Sequence, residues 1–545
     1  MKKSIAAIIT YSIMIVIILI WGLSFFEAVW SFPGNFDFIG KFPSEDMPLG
    51  SIPLMVIALV GTGIFVSIKL GFPQLKYFWH GVKVTAGIYD DPEDEGDLNH
   101  FRALTTALSA TVGIGNIAGV ATALYYGGPG AIFWMWVTAF FGTTLKFAEC
   151  TLSLRFRSFD EKGFTQGGPM YTIEKGLGSN WKWLAIAFAC FAIICSFATG
   201  NAIQAFTASD QIYSEVVQIV GSHHFLTNKF SLFGGFTLSV QQIINGFFLV
   251  GIIGAVILGG INRIGKVTGF LAPIMAAIYV FAALIILIAI PMATIESFSL
   301  IFKMAFAPPA QIAGAAGGTF LFFLNTMLWG VKRGLYSNEA GQGSAAIAHS
   351  TAKTKYAVRE GTVAMLGPFI DTIIICTLTG LVIIATGAWH NTEFYTQYVD
   401  PTFGGELMNS SILTSFAFKE GLSFLFDYGD KIVTISVLLF AISTAISWSY
   451  YGDRATDYLF GSKAIKFYKW VFLLFVFIGA IAQLEAVWSF GDAALGFMTF
   501  PNLISIIMLS TFLKKITKEY YSMQHLTYKE YVAQGKTSAH NELEP

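Results

Sequence analysis

Long apolar runs alternate with short polar stretches along almost the whole chain. Residues 5–26, 52–70, 241–259, 267–290 and 469–486 carry few or no charges. Each approaches or exceeds the roughly 18 residues that a helix needs to cross a bilayer core. Backbone groups in hydrocarbon must find partners within their own segment, which makes helices the expected spanning element. The short alternating stretches of a membrane β-barrel dominate nowhere. The pattern predicts an all-α polytopic membrane protein with roughly twelve spans.

Basic residues orient these spans. Lys2 and Lys3 place the N-terminus in the cytoplasm by the positive-inside rule. Arg155 and Arg157, Lys182, Arg263 and Lys266, Lys353, Lys355 and Arg359, and Lys514, Lys515 and Lys518 then fall on the same side if the spans alternate without a break. The acidic run DDPEDEGD (90–97) becomes a cytoplasmic loop, and the loops 208–238 and 388–428 become external. The apolar stretch of residues 1–26 is long and lacks a clean A-x-A site, which favours a retained span over a cleaved signal peptide.

Composition agrees. Of 545 residues, 54% are hydrophobic and 12% charged, against about a quarter charged in soluble domains. So little charge cannot cover a soluble globule, and lipid must cover the rest. A net charge of −1 without a basic stripe argues against nucleic acid as a partner. Cys150, Cys190, Cys195 and Cys376 lie in apolar stretches without metal-type spacing and read as small buried residues. No nucleotide loop, metal-ligand spacing or Ser-His-Asp grouping points to an enzyme. SNEAGQGS lacks the Lys-Ser/Thr ending and the strand context of a phosphate loop.

Two hydrophobic segments hold glycine and polar clusters that a lipid-facing helix would not tolerate: TVGIGNIAG (111–119) and GLYSNEAGQGSAA (334–346). Irregular backbone at membrane depth is acceptable only where it lines a protein cavity. Paired interruptions in the two halves of a chain point to a transporter's central site. The helix ends so created offer N–H groups to a carboxylate and carbonyls to a cation. Asp371, in GPFIDTIIICTLTG, is an acid inside a span. It reads either as a structural hydrogen-bonding group or as a cation or proton site. Glu149 has Lys146 three residues before it, an expected ion pair, and Glu339 stands near Lys332 and Arg333 in a structural or gating network. Asn201 and Gln204, three apart, share one helix face. Ser443, Thr444 and Ser447 cluster in FAISTAISWSYYG beside Trp448, a set of hard oxygens suited to sodium.

TVGIGNIAGVATA, GGPGAIFWMWVTAFFG, GGPMYTIEKGLG, RGLYSNEAGQGSA, FIDTIIICTLTG and STAISWSYYG resemble, in order, the signatures of the alanine or glycine:cation symporter family. The likeness covers about residues 50–512. It implies a five-plus-five inverted-repeat, leucine-transporter-like fold with discontinuous first and sixth repeat helices and additional N-terminal helices. The implied organisation is an extra N-terminal transmembrane helix and external loop over 1–47, and a pre-repeat transmembrane helix with a cytoplasmic linker over 48–100. The first five-helix repeat follows over 101–316, the second over 317–513, and a cytoplasmic C-terminal tail over 514–545.

The resemblance also implies site residues. Backbone N–H groups around Gly113, Ile114 and Gly115 would hold a substrate carboxylate, with Asn201, Gln204 and Trp448 lining the pocket. The carbonyls of Ser109, Thr111 and Val112, the Asn116 side chain, Asp371, and the hydroxyls of Ser443 and Thr444 would bind Na+, the coupling ion. Ile114 stands where members of the family carry Thr, and Gln342 where they carry an apolar residue. The implied function is sodium-coupled symport of alanine and/or glycine into the cell by alternating access, across the cell inner membrane. The alternative is a proton-coupled carrier with Asp371 as the titrating group. No obligate protein partner is implied.

Overall fold

The computed structural model describes residues 54–161, 163–231, 237–306, 319–392, 394, 411–482 and 484–533. The span expected over 4–26 and the external loop after it lie outside these residues, as do the start of the second repeat at 317 and the tail beyond 533.

The chain enters on α1 (Leu54–Leu70), a short apolar helix. Next comes α2 (His100–Thr111), whose start is fixed by Asn99: its side chain accepts from Arg102 N–H at 3.0 Å. This cap satisfies one of the helix's orphan donors. The helix stops at Val112 and Gly113, both extended, because Gly113 has no side chain to hold it in helical geometry. A 3-10 turn over Ile114–Asn116 leads into α3 (Ala118–Gly127). The two halves are bent by 62°.

The rest of the first set is α4 (Ala131–Arg155), α5 (Lys182–Phe197) continuing through a π-helical turn into α6 (Ile203–Val220), α7 (Val240–Ile257) and α8 (Gly260–Ala289). Ser239 and Gln242 start α7 with a reciprocal capping box. After α9 (Pro291–Phe306) the second set opens with α10 (Thr319–Asn338), a break, and α11 (Ser344–His349). Then come α12 (Ala357–Ala364), which runs through a π-helical stretch into α13 (Thr377–Ala385), and α14 (Ile412–Leu422). Last are α15 (Gly429–Phe460), α16 (Ile465–Ile481) and α17 (Leu484–Ser522). Among the described residues, eight helices are long and apolar enough to span, and α2 with α3 qualifies as a bent pair.

Among the described residues, four span-length helices follow the bent pair α2–α3, and four more follow the break between α10 and α11. The interrupted helices are central. α10 packs on α3 and α4, α2 packs on α8 and α15, and α11 packs on both α2 and α4. The outer faces of α7 and α8 expose Phe247, Phe270, Phe281 and Ile288 by 65% to 74%. Large apolar side chains that exposed belong against lipid, since water would charge about 25 cal/mol for each Å² of them. The inner face of α15 buries Ser443, Thr444, Ser447 and Trp448, so this helix carries polar groups to the centre of the fold.

Candidate functional site

The first break is closed on itself by Asn116, whose Oδ1 accepts the Gly113 N–H at 2.9 Å. Of the three residues expected to offer an amide to an anion, Gly113 therefore spends its own N–H on the turn. The Asn116 Nδ2 turns the other way. It donates to Asp371 Oδ1 at 2.6 Å, Ser337 Oγ at 3.1 Å and the Asp371 carbonyl at 3.2 Å. Ser337 and Thr372 donate to Asp371 Oδ2 at 2.7 and 2.8 Å. Asp371 is fully buried, so each of these bonds offsets desolvation of its carboxyl. The acid joins both interrupted helices: Asn116 lies in the first break and Ser337 at the last turn before the second.

A second oxygen cluster joins α2 to α15. Thr444 Oγ1 donates to the Ser109 carbonyl at 3.1 Å, Ser109 Oγ donates to the Ser443 carbonyl at 3.1 Å, and Ser443 Oγ lies 3.4 Å from the Ser109 carbonyl. The Thr111 hydroxyl bonds back to Ala107 and Leu108, which leaves its carbonyl as its possible ligand. Val112, buried in the core, has only its backbone to offer. The expected ion ligands thus fall into two sets: Ser109 with Ser443 and Thr444, and Asn116 with Asp371.

Asn201 lies within the π-helical turn Ala198–Ala202, and Gln204 just after it. Such turns widen a helix by one residue and are frequent at functional sites. Asn201 Nδ2 donates to the Phe472 carbonyl at 2.7 Å, and Gln204 Nε2 to the Thr199 carbonyl at 3.2 Å. Their oxygens, Asn201 Oδ1 and Gln204 Oε1, are buried without a hydrogen-bond partner. Gln204 Oε1 faces the first break, 3.9 Å from where a Cβ on Gly113 would stand. Trp448 packs tightly against Gly200, where an added Cβ would be 2.2 Å from the indole Cγ. Its ring meets Tyr451 edge-on at 5.2 Å. The indole N–H is buried without a hydrogen-bond partner.

The second break differs in build from the first. Glu339 takes a left-handed φ of 51°, and Gly341 and Gly343 have φ of 81° and 86°. Its backbone groups are held by side chains from elsewhere. Glu149 Oε2 accepts the Gly343 N–H at 3.0 Å and Asn502 Nδ2 at 2.8 Å, and Asn502 Nδ2 also donates to the Gly341 carbonyl at 2.9 Å. The Lys146–Glu149 pair forms as expected, at 3.7 Å, but the sequence reading missed that Glu149 caps the broken helix. It also missed Ser337, Thr372 and Cys376, whose Sγ lies 3.3 Å from Asn116 Nδ2 and 3.2 Å from Ser337 Oγ. Glu339 accepts from Ser344 at 2.6 Å, while Lys332 and Arg333 lie over the Trp329 ring.

Buried carboxyl, amide and hydroxyl groups gathered where two helices lose their regular backbone suit binding of a small charged cargo. A family model described as the sodium:alanine symporter family matches residues 43–534. The sodium/alanine symporter AgcS of Methanococcus maripaludis is 42% identical over 470 residues, covering 86% of this chain and 94% of its own. Two proteins of Bacillus subtilis are similar as well. The putative sodium/proton-dependent alanine carrier YrbD is 33% identical, over 87% of this chain and 90% of its own. The probable sodium/glutamine symporter GlnT is 30% identical, over 86% of this chain and 87% of its own. The chain belongs to the sodium:alanine symporter family, a family of multi-pass membrane transporters, not enzymes.

Proposed function

We propose that this protein imports a small neutral amino acid, alanine or glycine, together with sodium, by alternating access across the cell inner membrane with both termini in the cytoplasm. The observation that carries the reading is the meeting of the two interrupted helices at Asp371 through Asn116 and Ser337. Sodium at Asp371 and Asn116, or at Ser109, Ser443 and Thr444, would draw these helices together. Asn116 serves as an oxygen ligand after its amide rotates away from Gly113.

A zwitterion fits the groups beside them. Ile114 and Gly115 N–H groups and the Trp448 indole N–H suit its carboxylate. The unpartnered oxygens of Asn201 and Gln204 suit its ammonium. Trp448, wedged against Gly200, leaves little depth for a side chain, which favours alanine or glycine over the glutamine in the name of GlnT. One sodium crossing 100 mV releases about 2.3 kcal/mol, and a tenfold gradient adds about 1.4 kcal/mol. Together they can concentrate a neutral amino acid about a few hundredfold.

Uptake of radiolabelled alanine into proteoliposomes, with sodium exchanged for potassium or choline, tests the reading. Accumulation is expected only with sodium. Accumulation that persists without sodium and collapses with a protonophore would favour the proton-coupled alternative, which the name of YrbD makes worth the extra arm. Gln204→Ala removes one ammonium acceptor and is expected to raise the KM for alanine about tenfold with little change in thermal stability, since a hydrogen bond to a charged group contributes about 1.5–3 kcal/mol. A normal KM would remove Gln204 from the pocket.

A further inference from the structure

Away from the binding groups, one buried carboxylate carries two imidazoles. Glu360 Oε1 accepts from His349 Nδ1 at 2.5 Å, and Glu360 Oε2 pairs with His100 Nδ1. All three side chains are at most 1% exposed. His100 is the first residue of α2 and His349 the last of α11. Each half-helix therefore ends on the same carboxyl, and each oxygen of that carboxyl serves one of them.

The chain on either side of this triad is also joined. Asp97 N–H donates to the Thr351 carbonyl at 2.8 Å and Lys353 N–H to the Leu98 carbonyl at 2.7 Å. This zips the segment leading into α2 to the segment leaving α11. Gly96 permits the approach: a Cβ there would be 2.6 Å from the Ala352 carbonyl oxygen. The Arg157 guanidinium clamps the seam by donating to the carbonyls of Glu95, Ser350, Ala352 and Thr354 at 2.6–2.9 Å. At the opposite end, α3 and α10 are joined by Asn325 to the Tyr126 carbonyl and Thr326 to the Gly127 carbonyl, each at 2.8 Å.

We propose that Glu360, bridging His100 and His349, is the positioning residue that holds the transport path shut at the end bearing Arg157, and that this end opens when the bridge parts. The proposal rests on the alternating-access reading. The joined pieces lead directly into the two interrupted helices, so the binding groups cannot be reached from this end while α2 and α11 stay locked. Glu360 also lies on the same span as Asp371, Ala357–Ala385, so a single rod carries both the ion-site carboxyl and the lock. Moving the rod when the ion site fills would strain the bridge. Two donors share one buried acceptor, and losing either leaves a polar group unsatisfied, so the element has two discrete states and no cheap intermediate.

The test uses the full-length protein carrying A103C. Ala103 is fully buried, one turn into α2, against Leu154, Ala352 and Ala357. It becomes reachable when the seam opens. Labelling by a membrane-impermeant maleimide is timed against the parent, whose Cys150, Cys195 and Cys376 are buried and Cys190 half-buried. Adding Glu360→Gln, which leaves one oxygen for two donors, is expected to speed labelling of the introduced thiol about tenfold. Gly251→Ala, where an added Cβ meets nothing within 4 Å, leaves the bridge intact and should hold the rate within about twofold.

An unchanged rate in Glu360→Gln, or an equal rise in both variants, overturns the proposal. Should Glu360→Gln fail to fold, His349→Leu serves in its place: it removes one donor, and its rate should rise severalfold or the proposal falls. Labelling requires neither sodium nor amino acid, so the result stays readable even if the cargo assignment fails.

Discussion

Replacing Asp371 with alanine is expected to raise the sodium concentration for half-maximal uptake about ten- to hundredfold, the worth of one charge-assisted ligand. The buried carboxyl is the acceptor for Asn116, Ser337 and Thr372, so its loss removes the anion and takes one acceptor from each of these three donors. Asp371→Asn separates these effects. It keeps the volume and one acceptor oxygen while removing the charge, so its fold should survive while its sodium affinity falls almost as far as that of the alanine variant. Initial uptake rates measured against sodium concentration decide the matter. An unchanged half-saturation in a well-folded Asp371→Asn protein would leave the acid a structural role only.

The second large effect is expected at Gly200. Alanine in place of glycine within a helix ordinarily stabilises it by about 1 kcal/mol. Here the added Cβ would stand 2.2–2.5 Å from Trp448 Cγ, Cβ and Cδ2, inside van der Waals radii. Overpacking of a full core costs about 1–3 kcal/mol, and the indole is fully buried. The clash wins. Gly200→Ala should cut alanine uptake at least about tenfold, because relief requires shifting the indole and the flanking Asn201 out of position. Gly251→Ala is the matched control, since a Cβ there meets nothing within 4 Å, and uptake should stay within about twofold of the parent. Normal transport by Gly200→Ala would remove Trp448 from the pocket wall.

Much of the site was legible because its residues break local rules. Gly113 and Gly115 flanking Ile114, and Glu339 before Gly341 and Gly343, interrupt apolar runs that would otherwise continue as helix, and the chain bends or unwinds there. Cys376 escaped for the opposite reason. It lies five positions after Asp371 (376 − 371), which an α-helical repeat of 3.6 places off the acid's face. The π-helical turn Phe369–Cys376 brings the two together at Asn116, and nothing in the local sequence announces that turn. Glu149 was read correctly as the partner of Lys146. Its cap on Gly343, 194 positions away, depends on α4 lying beside the second break.

What the sequence determined alone is the membrane class, the interrupted helices and the polar residues worth watching. Hydrophobic length and glycine content act locally and need no partner to be read. The tertiary structure decided which carboxyl caps which helix end, that Asp371 gathers both breaks, and that Glu360 holds His100 and His349 together. Those pairings join residues as much as 260 positions apart. Their energies come from burying polar groups against one another, which no single segment contains.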